Sequence, residues 1–99
     1  MNTFYYIYIL VSEKDGKKYT GYTSNLPLRL EAHHAGEVPS TIHRRPLRLV
    51  YFEGCLSQED AVKREKYLKT HYGKMFVGNR LKSYFTSQEI TTINNNNNE

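Results

Sequence analysis

Tyr8, Tyr19, Arg29 and Glu65 are the side chains of this sequence whose types and placement could do chemistry together. A guanidinium suits a bidentate grip on phosphate oxygens. A carboxylate on the apolar face of a helix needs a cationic partner or a metal ion, because burying it alone costs roughly several kcal/mol. Combined with a tyrosine-rich hairpin, these groups predict a pocket for a polyanion.

Each of these residues also has a purely structural interpretation. Glu65 shares the apolar face of its predicted helix with Leu68 when successive residues are placed 100° apart, and it could form a buried ion pair with Arg29. His33 lies one helical turn after Arg29 and could be a satisfied, half-buried histidine. Tyrosines on paired strands usually belong to the core. The residue pattern alone leaves both interpretations open.

The elements that must position these residues follow from apolar, turn and capping patterns. Aromatic and β-branched runs predict strands over 4–11 and 18–22, which a tight turn joins into a hairpin. Capping residues predict a first helix over 26–35, and alternating residues predict a third strand over 47–53. The hairpin carries the two tyrosines, and the first helix carries Arg29.

The second half of the chain is predicted to be helical. A capping box at Ser57 predicts a second helix that runs to about residue 72, where Gly73 would end it. Apolar residues over 74–85 predict a last short helix. Glu65 therefore belongs to the second of three predicted helices.

Length and composition limit the class of protein. Ninety-nine residues suffice for one core but not for two, and 87–99, which end in five consecutive asparagines before the final glutamate, predict a disordered tail after one domain over 1–86. A single cysteine, Cys55, excludes an intrachain disulfide and favours a reduced, cytoplasmic location. No apolar run approaches the roughly 20 residues that span a bilayer, so no membrane partner is expected.

The charge balance favours an acidic partner. The formal net charge is +4 and the sequence pI is about 9.2, a balance that attracts polyanions at long range. Residues 36–46 contain two prolines and a glycine, which predict a loop. The basic side chains His43, Arg44 and Arg45 make this loop a predicted positive patch that contacts an acidic partner.

The segments that could converge on one site also carry a family resemblance. They are Tyr6-Ile7-Tyr8, Tyr19-Thr20-Gly21, Arg29 and Glu65. In types and spacing they resemble the GIY-YIG nuclease superfamily, in particular small stand-alone bacterial members related to the catalytic domain of the excision-repair nuclease excinuclease C. The resemblance covers about residues 4–85. Tyr6 and Thr20 stand where Gly and Ile are usual, and neither change removes a reacting group.

The resemblance implies an α+β fold in which helices flank a three-stranded antiparallel sheet. It also implies hydrolysis of DNA phosphodiester bonds with one divalent cation, Mg²⁺ or Mn²⁺, which Glu65 would ligate. Arg29 would bind the scissile phosphate. Tyr8 or Tyr19 would orient or deprotonate the attacking water.

Further expectations follow from the same resemblance. His33 would position the phosphate or shuttle a proton, and Asn79 is the candidate for a family asparagine near the site. The basic residues His43, Arg44, Arg45 and Arg48 would track the DNA backbone. Target preference would come from DNA structure, from the loops or from a protein partner. The alternative function is a non-catalytic nucleic-acid-binding or adaptor module that keeps the fold.

Overall fold

The protein is an α+β fold built on one sheet, seen in a computed structural model that describes residues 3–88. The elements in chain order are β1 (Tyr5–Ser12), β2 (Lys18–Thr23), α1 (Leu26–Ala35), a 3₁₀ helix (Ile42–Arg44), β3 (Leu47–Cys55), α2 (Gln58–Leu68) and α3 (His71–Arg80). Residues 82–88 are also helical. The strands form a three-stranded antiparallel sheet in the order β2-β1-β3, which confirms the predicted fold class.

The chain divides after residue 67 into two compact units. The first contains the sheet, α1 and most of α2, and the second contains α3 and the helical residues 82–88. Of the predicted tail over 87–99, residues 87 and 88 are helical and the rest lies outside the described residues. No helix within residues 3–88 is long and apolar enough to cross a membrane.

β1 is the middle strand, and its sequence explains that position. Residues 7–10 are an unbroken apolar and aromatic run, and each is at most 1% exposed, as expected for a strand that is covered on both faces. Tyr8 lies opposite Gly21 of β2 on one side and opposite Phe52 of β3 on the other. The first tyrosine of the predicted site is therefore held by both neighbouring strands.

α1 begins and ends where its capping residues predict. Asn25 Oδ1 accepts a hydrogen bond from the Leu28 N–H at 3.2 Å. Gly36 adopts a left-handed φ of 80°, which glycine tolerates at the end of a helix because it has no Cβ. The predicted bounds of this helix are confirmed, and they place Arg29 and His33 one turn apart on it.

The second helix is shorter than predicted, and Gly73 does not end it. α2 stops at Leu68, and Thr70 caps α3, since its Oγ1 accepts a hydrogen bond from the Gly73 N–H at 3.2 Å. A side-chain cap satisfies an N–H group that has no partner in the first turn of a helix. The cap outweighs the weak stop signal of one glycine, so Gly73 lies inside the first turn of α3.

Candidate active site

Three aromatic rings form the centre of the site. Tyr8 of β1, Tyr19 of β2 and His33 of α1 contact one another, with centroids 6.4 Å apart for the two tyrosines and 5.5 and 5.3 Å from Tyr8 and Tyr19 to His33. Tyr8 also belongs to the buried core cluster that includes Leu26 of α1 and Leu47 of β3. The structure thus brings together three of the residues that the sequence predicted, directly on top of the core.

Gly21 makes room for the Tyr8 ring. A Cβ at this position would collide with Cζ and Oη of Tyr8. Gly21 pairs with Tyr8 across the β1–β2 ladder, so the phenol crosses the β2 backbone where a side chain would otherwise stand. The last residue of the Tyr19-Thr20-Gly21 segment therefore shapes the site sterically.

We expect Gly21→Ala to cost about 1–3 kcal/mol in the free energy of unfolding, because an extra methyl in a filled site forces neighbouring groups to move. Gly54→Ala is the matched control, since its Cβ would lie 3.3 Å from the partly buried Tyr6 ring and cost less. Urea unfolding of both variants measures the difference. Equal losses would contradict the steric role of Gly21.

The Tyr8 hydroxyl joins α1 to the sheet through two hydrogen bonds. Arg29 Nε donates to Tyr8 Oη at 3.3 Å. The buried phenol needs an acceptor for its own proton, and we assign that role to His33 Nε2 at 2.8 Å. His33 Nδ1 then carries the ring proton and donates it to Thr41 Oγ1 at 2.7 Å. Tyr8, His33 and Thr41 are each 0% exposed, so this chain is entirely internal.

Burial sets the protonation states of this chain. Burial first, and then the nearby charges of Arg29 and His34, lower the pKa of His33 to about 4, so the imidazole is neutral at pH 7. Burial also raises the pKa of Tyr8, although the hydrogen bond from Arg29 acts in the opposite direction. Tyr8 is therefore a neutral phenol at pH 7 that donates to a neutral histidine.

The low pKa of His33 predicts a loss of stability in mild acid. In the unfolded chain His33 binds a proton at the ordinary pKa near 6.5, above the folded value of about 4. The contribution of neutral His33 to the free energy of unfolding is therefore fully present above pH 6.5 and decreases as the pH falls toward 4. The loss reaches about 2 kcal/mol at pH 5. Urea unfolding between pH 7.5 and 5 should show this slope for the wild type and not for His33→Gln. Parallel pH curves would refute the assignment.

Arg29 lies beside both phenols. The hydrogen bond to Tyr8 is the main cause that raises the pKa of Arg29, and the Tyr19 side chain adds to it. Arg29 and Tyr19 are each partly exposed, and Ser40 Oγ donates to Tyr19 Oη at 3.4 Å. Arg29 and Tyr19 are therefore the partly exposed residues of this cluster, and Tyr8 and His33 are its buried ones.

Glu65 is half-buried on α2, as its position on the helix predicted. Its negative charge adds to the burial that raises the pKa of Tyr8, so the carboxylate lies within electrostatic range of the phenol. Arg29 Nε donates its hydrogen bond to Tyr8. Glu65 is thus the acidic member of the site.

A bidentate ion pair one residue before Glu65 anchors α2 to β3. Arg64 Nε and Nη2 donate to the two carboxylate oxygens of Glu53 at 2.8 and 2.9 Å. Tyr51 Oη donates to the same carboxylate at 2.9 Å. Two parallel hydrogen bonds fix the orientation of both partners, so this pair helps to set the position of Glu65.

Replacing Glu53 by glutamine is expected to cost about 1–2 kcal/mol at pH 7, a value reduced for the partial exposure of the pair. The hydrogen bond from Arg64 lowers the pKa of Glu53, so this contribution is present above the ordinary pKa of about 4.3 and is lost as the pH falls below it. Glu13→Gln, which breaks the more exposed ion pair with Arg48, is the control. The difference in the free energy of unfolding between the wild type and Glu53→Gln should be smaller at pH 3.5 than at pH 7. A difference that is equal at the two pH values would contradict the linkage.

A divalent cation would have one carboxylate here. Within residues 3–88, no three His, Cys, Asp or Glu side chains are grouped to hold a metal ion. Mg²⁺ nevertheless suits a lone carboxylate, because it keeps several waters and takes further oxygens from a bound phosphate. Glu65, half-buried and near the Tyr8–Arg29 pair, fits such a site only together with a phosphate ligand.

Comparison with known proteins identifies the family of this chain. Residues 4–82 match the family model described as the GIY-YIG catalytic domain. The chain belongs to the GIY-YIG family. It is 45% identical over 67 residues to a UPF0213 protein of Staphylococcus haemolyticus, a match that covers 67% of this chain and 80% of the relative.

Two further relatives extend the comparison. A UPF0213 protein of Haloquadratum walsbyi is 36% identical over 95 residues, which cover 95% of this chain and 98% of the relative. The solution NMR structure of a UPF0213 protein from Bacillus halodurans is 35% identical, covers 75% of this chain and 81% of that chain, and gives a TM-score of 0.47. This chain is therefore a small GIY-YIG protein that is similar in sequence to UPF0213 proteins.

The predicted basic surface of this GIY-YIG protein is partly engaged within its own chain. Arg44 Nε pairs with Asp15 Oδ2 at 3.1 Å, and its Nη2 donates to the Lys17 carbonyl at 3.0 Å. Arg48 Nη1 pairs with Glu13 Oε1 at 3.4 Å. These contacts tie the loop and the start of β3 to the β1–β2 turn, so two of the predicted DNA contacts also have structural tasks.

Arg45 and His43 make other contacts. Arg45 donates to the carbonyls of Ile42 at 3.0 Å and His34 at 3.2 Å, which closes the loop over the end of α1. His43 is exposed, and its carbonyl accepts a hydrogen bond from Lys14 Nζ at 3.2 Å. DNA binding by these residues stays a prediction.

Thr41 and Ser40 are contacts to the site that the sequence analysis missed. Thr41 fixes the His33 ring, and Ser40 contacts the Tyr19 hydroxyl. Both lie in the predicted loop, and their pairing depends on how the loop folds back across α1, which has no local sequence signal. Asn79 is an exposed residue of α3 in the second unit, and its role stays a prediction.

Proposed function

We propose that this GIY-YIG protein is a divalent-metal-dependent endonuclease that hydrolyses DNA phosphodiester bonds in DNA repair or processing, in the cytoplasm. The observation that supports this most is the place of Arg29. Arg29 is a partly exposed residue, and its guanidinium is held by the Tyr8 hydroxyl and lies next to Tyr19. A phosphate bound to this oriented guanidinium would meet a phenol and would have the Glu65 carboxylate nearby.

Each residue has a proposed task. Arg29 binds the scissile phosphate and stabilises the negative charge that develops on it. Glu65 holds Mg²⁺ or Mn²⁺, which when bound supplies Lewis-acid stabilisation of the departing oxygen. Tyr19, the accessible phenol, orients the attacking water. Tyr8 and His33 are positioning residues, because their buried hydrogen bonds hold Arg29.

Burial divides the two tyrosines in this scheme. Tyr8 is 0% exposed, so it cannot contact the attacking water. Tyr19 is partly exposed and accepts a hydrogen bond from Ser40, so its own O–H can donate to a phosphate while a lone pair faces water. The water oxygen bonds to phosphorus as the bond to the leaving oxygen breaks. Tyr19 Oη accepts a hydrogen bond from the attacking water and orients it, the water loses its proton to solvent as it bonds to phosphorus, and solvent protonates the leaving oxygen.

The second candidate function is a non-catalytic module that binds nucleic acid or serves as an adaptor. The buried, neutral state of Tyr8 and His33 favours it, because neither group can exchange a proton with water in this conformation. A module of this kind would use Arg29 to bind phosphate without hydrolysing it.

Cleavage of labelled single-stranded, duplex and branched DNA tests the proposal. At low salt with Mg²⁺ or Mn²⁺, the wild type should cut at least one of these substrates, and chelation by EDTA should stop it. Arg29→Ala should reduce the rate by about 10²–10³-fold, the typical effect of removing one transition-state donor. Salt-dependent binding without cleavage would favour the non-catalytic module.

A further inference from the structure

The predicted basic surface separates into two parts that differ in their neighbours. Arg44 and Arg48 are paired with Asp15 and Glu13 of the β1–β2 turn. Lys14, between those two acids in sequence, makes no ion pair within the described residues and donates instead to the His43 carbonyl. Because both neighbouring carboxylates are occupied by arginines, the Lys14 charge is left for another partner.

Lys14 lines a depression of about 590 Å³ that contains no acidic side chain among the described residues. Its other basic members are His34, His43 and Arg45, and its apolar members are Ile42, Pro46 and Leu47. Three of the basic side chains, Lys14 among them, are already oriented by backbone carbonyls. Arg45 donates through Nε and Nη1, and His34 Nε2 donates to the Leu47 carbonyl at 3.2 Å.

These contacts leave several N–H donors unused. Arg45 keeps both N–H groups of Nη2, and Lys14 keeps two of its three, when the contacts to the protein are counted. Donors that are pre-oriented and carry positive charge suit the oxygens of a phosphate. An uncompensated cluster of this kind repels itself, which an anion in the depression would relieve.

α1 and the loop after it contribute residues both to the depression and to the candidate active site. His33 of α1 contacts Tyr8, while the next residue, His34, lines the depression. In the loop, Thr41 contacts His33, while Ile42 and His43 line the depression. We propose that Lys14, His34, His43 and Arg45 form a second phosphate subsite, which holds a backbone phosphate of the nucleic acid away from the scissile one.

This subsite rests on the proposed function, but binding can be measured without turnover. Fluorescence anisotropy of labelled duplex DNA in EDTA, over roughly 50–200 mM salt, compares the wild type with Lys14→Ala. We expect Lys14→Ala to bind DNA about fivefold more weakly. The plot of log affinity against log salt concentration should also become less steep by about 0.9, because one phosphate is no longer neutralised. The Lys14 side chain is exposed, so the variant should fold, which circular dichroism verifies.

Lys66→Ala is the matched control, because it removes one exposed positive charge from α2, outside the depression. If Lys14→Ala and Lys66→Ala bind alike, or if the wild type binds no DNA, the subsite is refuted. A mononucleotide in large excess distinguishes a backbone phosphate from a free one. The proposal expects it to leave DNA binding unchanged, and Lys14-dependent displacement would overturn it.

The two proposals fail separately. A wild type that binds DNA through Lys14 but never cleaves it would preserve the phosphate subsite and refute the nuclease. Metal-dependent cleavage that needs Glu65, with DNA affinity unaffected by Lys14→Ala, would preserve the nuclease and refute the subsite. The His43→Ala variant adds a second test, since removing its exposed side chain should weaken binding in the same direction as Lys14→Ala.

Discussion

Replacing Glu65 by glutamine is expected to lower metal-dependent DNA cleavage by about 10³-fold, because the loss of a Lewis acid removes several kcal/mol of transition-state stabilisation. Glutamine keeps the size of the side chain but is a neutral and much weaker ligand for Mg²⁺. The free energy of unfolding should stay nearly constant or rise, since residues kept for function are often neutral or costly for stability.

Glu59→Gln is the control for Glu65→Gln. Glu59 lies on the same helix, is exposed and pairs with Lys63 at 3.2 Å, so its variant removes the same charge at a site without proposed chemistry. Single-turnover cleavage and urea unfolding should be measured for both variants. A Glu65 variant that cleaves like the wild type but is destabilised by roughly 3 kcal/mol or more would indicate a structural ion pair instead.

Tyr19→Phe is expected to reduce cleavage alone, whereas Tyr8→Phe is expected to reduce both cleavage and stability. Tyr19→Phe should reduce cleavage by about 10²–10³-fold at unchanged stability, because it removes the hydroxyl that orients water from a partly exposed ring. Tyr8→Phe should lower stability by about 1–3 kcal/mol as well as activity, because it leaves the buried His33 Nε2 without its donor.

Measuring both quantities for both variants distinguishes the roles of the two phenols. Thermal or urea unfolding reports the stability, and single-turnover cleavage at saturating metal reports the chemical step. If Tyr8→Phe abolishes cleavage while its stability equals that of the wild type, Tyr8 is the catalytic phenol. The conformation that reacts would then expose a ring that is buried here.

Local signals predicted most of the fold. The caps of α1 and the turn of the hairpin depend on residues that are near in sequence, so the sequence predicted their bounds closely. The end of α2 was predicted wrongly, because a glycine and a threonine three residues apart gave competing signals. Thr70 forms the cap, while Gly73 is accommodated inside the helix.

The sequence identified most residues of the candidate site, but it did not predict which of them contact one another. Tyr8, Arg29 and His33 were identified by type and position, whereas Thr41 was not, because its hydrogen bond to His33 depends on a folded loop. The basic surface shows the same limit. Arg44 pairs with a carboxylate 29 residues away in sequence, and no pattern near Arg44 indicates that partner.

The central place of β1 has a consequence for how the site responds to partial opening of the protein. β1 is hydrogen-bonded to a strand on each side, and loss of either edge strand would expose its buried residues 7–10, so the amides of these residues should exchange with deuterium only when the whole first unit unfolds. Exposed loop amides near residue 40 exchange through smaller fluctuations. On heating, the contacts of Tyr8 should therefore break when the sheet unfolds, and thermal inactivation should coincide with melting of that unit.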